Sequence, residues 1–231
     1  MLRTVVHCPP RTGSYSLLTL LKASGVHSHH VHYLANRYYY WDKVNARGSI
    51  EKNGKGKYKI ACTVRDPIAR NLSEYWRRWQ IDANEKGLTR VSLKLGLRKM
   101  AGTHQEKFTA YIDHFRQHHF FGGELIPYWG IDIFRQPFTP PYTIYEDRLL
   151  VIRCEDLDEY AVQAISELMG IEVTHGIKHL NVVPVKREPI RLEGAYIDAM
   201  YDRREFFPRW FYSEDEIEGF KEKWKSISDS G

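Results

Sequence analysis

Thr4-Val5-Val6-His7-Cys8-Pro9-Pro10-Arg11-Thr12-Gly13-Ser14-Tyr15-Ser16-Leu17-Leu18 is the stretch whose reading decides the fold. It opens on a β-branched run suited to a strand, and the run stops at Pro9-Pro10 because proline has no N–H to give to a sheet. From residue 14 to residue 23, Leu17, Leu18, Leu20 and Leu21 then recur at helical spacing. A loop between a strand and a helix faces the helix N-terminus, where unpaired backbone N–H groups and the helix dipole favour an anion. Gly13 removes side-chain bulk where the backbone must approach an oxyanion, Ser14 and Ser16 offer hydroxyls, and Arg11 adds a planar cationic fork. The same residues also read as an ordinary strand-to-helix turn with a serine cap.

Outward from this stretch, residues 26–34 predict a second strand and 48–57 (GSIEKNGKGK) a polar loop. Residues 58–64 (YKIACTV) are nearly continuously apolar, as in a parallel strand buried on both faces. A helix follows at once: Asp66 caps it, Pro67 fits its first turn, and Ile68, Leu72, Tyr75 and Trp79 fall on one face. Amphipathic helices are predicted near 92–100 and 105–118, then an irregular stretch over 120–142. Residues 142–145 and 149–153 read as a hairpin, and 156–169 as a helix ended by Gly170. Residues 176–189 read as loop, and helices are predicted near 194–203 and 213–224. Alternation of strand and helix at this spacing predicts one α/β domain over 1–231, with a central, mostly parallel sheet flanked by helices.

Composition narrows the partners. Of 231 residues, 42% are apolar and 27% charged, as in a globular protein, and Lys plus Arg exceed Asp plus Glu by 34 to 29. This mild basic excess suits a phosphate-rich small molecule or a polyanionic acceptor, and no nucleic-acid module accompanies it. The three cysteines, Cys8, Cys62 and Cys154, lie in apolar runs without CxxC spacing, which reads as reduced core thiols and a reducing compartment. No window approaches the length of a membrane span, and the first residues lack a secretory pattern, so the expected location is the cytoplasm.

The second motif is Arg65-Asp66-Pro67-Ile68-Ala69-Arg70-Asn71-Leu72-Ser73-Glu74-Tyr75-Trp76, at the carboxyl end of the predicted buried strand, where ligands of open α/β sheets bind. Arg65 leaves that strand toward the crevice. Arg70, Ser73 and Arg77 share the helix face opposite Ile68 and Leu72, a second place to grip a phosphate or a solvated cationic face. Neither motif is a Walker A sequence, since no Lys-Ser/Thr follows the loop to hold Mg²⁺, which disfavours a nucleotide kinase.

Together, PxRTGSxSL and RDPxxRxxSxYW resemble the sulfotransferase family, whose donor is 3′-phosphoadenosine 5′-phosphosulfate (PAPS). Within that family the chain is most similar to the capsular-polysaccharide-synthesis group, through Gly130-Ile131-Asp132, Pro137-Phe138 and Phe211-Tyr212-Ser213. The resemblance implies a P-loop-like three-layer fold and a first loop (Arg11, Thr12, Gly13, Ser14, Tyr15, Ser16) that holds the 5′-phosphosulfate. It implies Arg65 and Ser73 at the 3′-phosphate, with Lys186 and Arg187 closing on it from a C-terminal loop. Val151-Ile152-Arg153-Cys154-Glu155-Asp156-Leu157 matches the family's strand followed by Glu-Asp-Leu. Arg11 stands where many members carry Lys, so it acts as an electrostatic clamp and not as an acid. Tyr15 replaces a small hydroxyl residue, and it either packs on the adenosine or crowds the loop.

Sulfuryl transfer of this kind needs no metal, and it needs a base for the acceptor hydroxyl. The candidates lie in His27-Ser28-His29-His30-Val31-His32, with His32 first and His30 second. The same run also reads as a solvated strand end, or through His-x-His as a metal site. The expected acceptor is a saccharide hydroxyl. The rival readings are a non-catalytic nucleotide- or polyanion-binding protein and a P-loop-like nucleotide kinase.

Overall fold

The computed structural model describes residues 3–35, 41–84, 101–177, 190–202 and 207–229. In chain order the elements are β1 (Arg3–His7), α1 (Ser14–Ala23), β2 (His27–Val31), α2 (Trp41–Asn53), β3 (Lys59–Val64), α3 (Pro67–Asn84), α4 (His104–Tyr111), α5 (Arg116–Phe120), α6 (Ile126–Trp129), β4 (Tyr142–Tyr145), β5 (Leu149–Arg153), α7 (Leu157–Met169), α8 (Gly194–Tyr201), α9 (Pro208–Phe211) and α10 (Glu214–Asp229). The chain divides into two compact units, Met1–Arg65 with Arg116–Asn181, and Asp66–Phe115 with Val182–Gly231.

The first unit holds a five-stranded sheet in the order β2-β1-β3-β5-β4. β2, β1, β3 and β5 run parallel, and β4 is the antiparallel edge of the expected hairpin. On one face Leu17, Leu20 and Leu21 of α1 and Ile165 and Leu168 of α7 close on Val6, Ala61, Leu150 and Ile152. On the other face His7 is fully buried, accepts a hydrogen bond from Trp129 Nε1 at 2.9 Å and meets the Phe120 ring edge-on. Helices therefore cover both faces of a mostly parallel sheet. β1 has β2 on one side and β3 on the other, so the chain reverses its direction across the sheet between β1 and β3. The carboxyl ends of these two strands flank that switch point, where open α/β sheets bind ligands.

Several local expectations change. Strand β2 stops at Val31, and residues 32–35 form a loop. Residues 48–53 continue helix α2 and are not loop: Ile50 is fully buried, Arg47 pairs with Glu51 one turn on, and Gly54, at φ 86°, ends the helix. Burial of one isoleucine outweighs a polar, glycine-containing composition there. The helix expected over 105–118 is two helices, because Ile112 is extended and Asp113 turns back to accept from the Phe115 N–H at 3.2 Å. Residues 120–142 are less irregular than expected and carry a π-helical turn at Phe121–Leu125, helix α6 and a 3₁₀ turn at Ile133–Arg135. Asp156 stands at the N-cap of α7 without capping it; its carboxylate turns to Arg153 instead.

The second unit is helical among the described residues and is tied by a buried carboxylate. Asp66 accepts from the Ile68 N–H at 3.0 Å, as a cap of α3 should, and also from Tyr201 Oη of α8 at 2.5 Å and Trp224 Nε1 of α10 at 2.8 Å. On the face read as a phosphate grip or a solvated cationic face, Arg70 and Ser73 are buried and Arg77 is half-buried. Arg70 is 1% and Ser73 9% exposed, and Arg70 donates to Asn71 Oδ1 at 2.9 Å and to the Asp113 carbonyl at 3.1 Å. The turn at Asp113–His114 and Tyr196 of α8 cover this part of α3, with Asn71 donating to both His114 O and Tyr196 Oη at 3.2 Å.

Candidate functional site

The loop between β1 and α1 is bent by left-handed backbone at Arg11, φ 71°, and Gly13, φ 87°. A non-glycine residue held there costs energy and persists only where its surroundings enforce it. Two contacts from β3 do so. Thr12, fully buried, donates its hydroxyl to the Pro9 carbonyl at 2.8 Å and meets Thr63 Oγ1 at 2.7 Å. Arg65, immediately after β3, donates from its guanidinium to the Arg11 carbonyl at 3.2 Å. Gln117 fixes Arg65 in turn, accepting from its N–H at 3.1 Å and donating to its carbonyl at 2.9 Å.

Gly13 is required from below. A Cβ there would come within 2.7 Å of Leu157 Cδ1 and 3.1 Å of Cys154 Sγ. The missing side chain thus makes room for packing on the first turn of α7. Burial pushes the Cys154 thiol up to about 12, with the Arg65 charge pulling the other way. It remains a thiol beneath the loop.

What the loop presents is backbone. The Ser16 N–H bonds Gly13 O at 3.0 Å, closing the first turn of α1, whereas the N–H groups of Gly13, Ser14 and Tyr15 have no acceptor among the described residues. These groups form the start of a ten-residue helix, the arrangement that takes a phosphate or sulfate oxygen. Ser14 and Ser16 are each 4% exposed, and Tyr15 is 48% exposed. The Tyr15 ring lies 4.5 Å from that of His30, so it neither fills the loop nor is buried by it.

The two histidines expected to serve as bases differ. His30 Nε2 sits 2.9 Å from Ser14 Oγ, and burial pushes its pKa down to about 3, helped by the neighbouring His32 and Lys22. His32 Nδ1 lies 2.7 Å from the Cys8 carbonyl, which only accepts, so Nδ1 carries the proton and Nε2 the lone pair. The segment bearing His32 is held by Glu124, whose buried carboxylate accepts from the N–H groups of both Leu34 and Ala35 at 2.8 Å, and by Arg116, which bonds Tyr33 Oη.

The structure thus gathers Arg11, Thr12, Gly13, Ser14, Tyr15, Ser16, Arg65, His30 and His32 within the first unit at the carboxyl edge of the sheet. Ser73 belongs to the second unit, and Lys186 and Arg187 lie outside the described residues, as does the helix expected over 92–100. Thr63, Gln117 and Glu124 were not singled out from the sequence. Nothing local marks them, since Gln117 and Glu124 meet partners 52 and about 90 positions away. Tyr128 and Trp129 are 5% and 6% exposed and belong to the core.

No protein-family model matches the chain, and no curated protein matches it. Among solved structures it is similar to mouse sulfotransferase SULT7A1 complexed with PAP, at 11% identity and a TM-score of 0.39, over 100% of this chain and 85% of that one. It is similar also to a sulfotransferase from Alicyclobacillus acidocaldarius, at 11% identity and a TM-score of 0.40, over 100% and 95% of the two chains. The reading that follows rests on the loop and not on these likenesses. Among the described residues no cluster of three or more His, Cys, Asp or Glu could hold a metal ion, and no helix is long and apolar enough to cross a membrane.

Proposed function

We propose that the chain is a sulfotransferase that moves a sulfuryl group from PAPS to a hydroxyl, with a carbohydrate hydroxyl as acceptor. The observation that supports this best is the set of open N–H groups at Gly13, Ser14 and Tyr15, at the sheet's switch point, with the Arg65 guanidinium anchored on the same loop. These donors suit the 5′-phosphosulfate, and the four remaining N–H groups of Arg65 suit a second phosphate. When bound, PAPS supplies the activated sulfur and a leaving phosphate. The acceptor oxygen bonds to sulfur as the bridging S–O bond breaks, and the charge left on the phosphate oxygen falls to the loop N–H groups and Arg11. Arg11 stabilises that charge without a proton to give. His32 Nε2 takes the acceptor's proton, with Nδ1–H held on Cys8 O to keep the lone pair on Nε2.

The carbohydrate assignment rests on the sequence resemblance, since Phe120, Phe121, Tyr128, Trp129 and Phe138 are buried. The resemblance also assigns Ser73, Lys186 and Arg187 to the donor, and alanine variants of each test that by affinity. The deciding experiment is calorimetric titration of the chain with 3′-phosphoadenosine 5′-phosphate (PAP), with ATP and Mg²⁺ as control. Tight one-to-one binding of PAP and weak binding of ATP are expected. Preference for ATP with Mg²⁺ would turn the reading to a nucleotide kinase, and salt-sensitive binding of polyanions in place of PAP would turn it to a non-catalytic module.

A further inference from the structure

We infer that His30 is a positioning residue: as its Nε2–H tautomer it donates to Ser14 Oγ and so keeps the Ser14 hydroxyl hydrogen aimed at a phosphate oxygen bound on the loop. The inference rests on the sulfotransferase reading and gives His30 a role different from that of a base.

Among the described residues, Ser14 Oγ is the hydrogen-bond partner of the His30 ring, at 2.9 Å from Nε2. Each tautomer makes a bond of that length, with opposite consequences. If Nε2 accepts, the Ser14 hydrogen points at the imidazole and the hydroxyl turns its lone pairs to the loop, where an oxyanion would be repelled. If Nε2–H donates, it occupies one lone pair of Oγ and polarises the O–H, which then points away from the ring. A phosphate on the N–H groups of Gly13, Ser14 and Tyr15 gains a hydroxyl donor only in the second state, so the anion selects it.

The ring is held in this pose from both sides. Tyr15 lies against it at 4.5 Å and His32 edge-on at 4.6 Å. The groups that face it are Tyr15 and Lys22 of α1, Ser14, and His32 beyond β2. Burial first, and then Lys22 and, whenever it carries a proton, His32, keep the ring neutral. A neutral ring has one N–H to place, and Ser14 is where it goes. A base that takes up a proton only in strong acid is also poorly matched to accept one from a hydroxyl near neutral pH, which leaves that task to His32.

The test combines ¹⁵N-detected imidazole spectra of the wild-type chain, with and without PAP, and PAP affinities of His30→Phe, His30→Gln, Ser14→Ala and the His30→Phe/Ser14→Ala double variant. With PAP bound, His30 should carry its proton on Nε2 and stay neutral from about pH 7 to about pH 4. His30→Phe should weaken PAP by about tenfold, the size of one charge-assisted hydrogen bond. His30→Gln, which keeps an N–H donor, should recover to within about threefold of wild type, and His30→Phe should add nothing once Ser14 is alanine. A PAP complex with the proton on Nδ1, unchanged affinity in His30→Phe, or the same loss in the Ser14→Ala background overturns the inference while leaving the sulfotransferase reading intact. If the wild-type chain takes no PAP, that reading fails and carries this inference with it. The imidazole spectra need no variant, so a His30→Phe chain that fails to fold leaves the tautomer test standing.

Discussion

Arg65 and Asp66 are neighbours in the chain, and the polar structures around them are connected in opposite ways. Around Asp66, in the second unit, the donors turn inward: the hydroxyl of Tyr201, the indole of Trp224 and the N–H of Ile68 all end on one buried carboxylate. Around Arg65, in the first unit, the side chain shapes a loop whose own donors at Gly13, Ser14 and Tyr15 have no acceptor among the described residues. The first arrangement holds helices together, and the second keeps hydrogen-bonding capacity for something outside the chain. The run from Arg65 to Trp76 thus divides at a single peptide bond into a part that shapes a loop with open donors and a part that builds a helical core.

The sharpest way to break this contrast is at the base of the loop. Gly13→Ala combines a left-handed backbone, which costs an alanine about 1–2 kcal/mol, with a Cβ pressed on Leu157, for a total loss of about 3–4 kcal/mol in urea unfolding. A loss under about 1 kcal/mol would mean that the Gly13–Leu157 contact relaxes freely. Next, Asp66→Ala leaves the Tyr201 hydroxyl and Trp224 N–H without their acceptor and should cost about 3 kcal/mol. Burial holds the Asp66 carboxyl above its ordinary 3.8, with the bonds from Tyr201, Trp224 and Ile68 pulling the other way. A carboxyl raised in the folded state contributes stability that is whole below the ordinary value and is lost as pH rises through the folded one. The stability gap between wild type and Asp66→Asn should therefore be wider at about pH 4 than at about pH 7, as read by urea unfolding at both.

Smaller effects fall on the binding side. Arg65→Ala should lower PAP affinity by about 2 kcal/mol, roughly thirtyfold, while moving the unfolding midpoint little. Smallest of all is Tyr15→Ala: the ring is half exposed, and its removal should change stability by less than about 0.5 kcal/mol. A larger change, measured in the same urea series, would mean that Tyr15 braces the loop through His30.

Much of the first unit was legible in the sequence because its signals are local. Leu17, Leu18, Leu20 and Leu21 mark α1, the run to Val64 marks a strand buried on both faces, and Gly170 ends α7 at φ 63° as its type requires. The loop residues and Arg65 were readable for the same reason, since strand ends and helix starts put them at the sheet edge. What was not legible depends on distant partners. Arg70 looks like a solvated cation until Asp113 and Asn71 are folded onto it. That Gly13 also leaves room for Leu157 and Cys154 beneath the loop depends on residues far along the chain. His30 and His32 lie two residues apart in one run, and the contacts that set them apart, Ser14 against one and the Cys8 carbonyl against the other, are not local.

The central claim is that donors at the sheet edge are held for a phosphosulfate, and that the motif's adjacent residues divide between binding and folding. Calorimetric titration of PAP into wild type, Arg65→Ala and Asp66→Asn, with each variant's unfolding free energy measured in parallel, tests it most directly. The account predicts that Arg65→Ala loses affinity and keeps its stability, while Asp66→Asn loses stability and, at temperatures where it is folded, keeps its affinity. Wild-type protein that binds no PAP, or an Arg65→Ala chain that binds it as tightly as wild type, would contradict it.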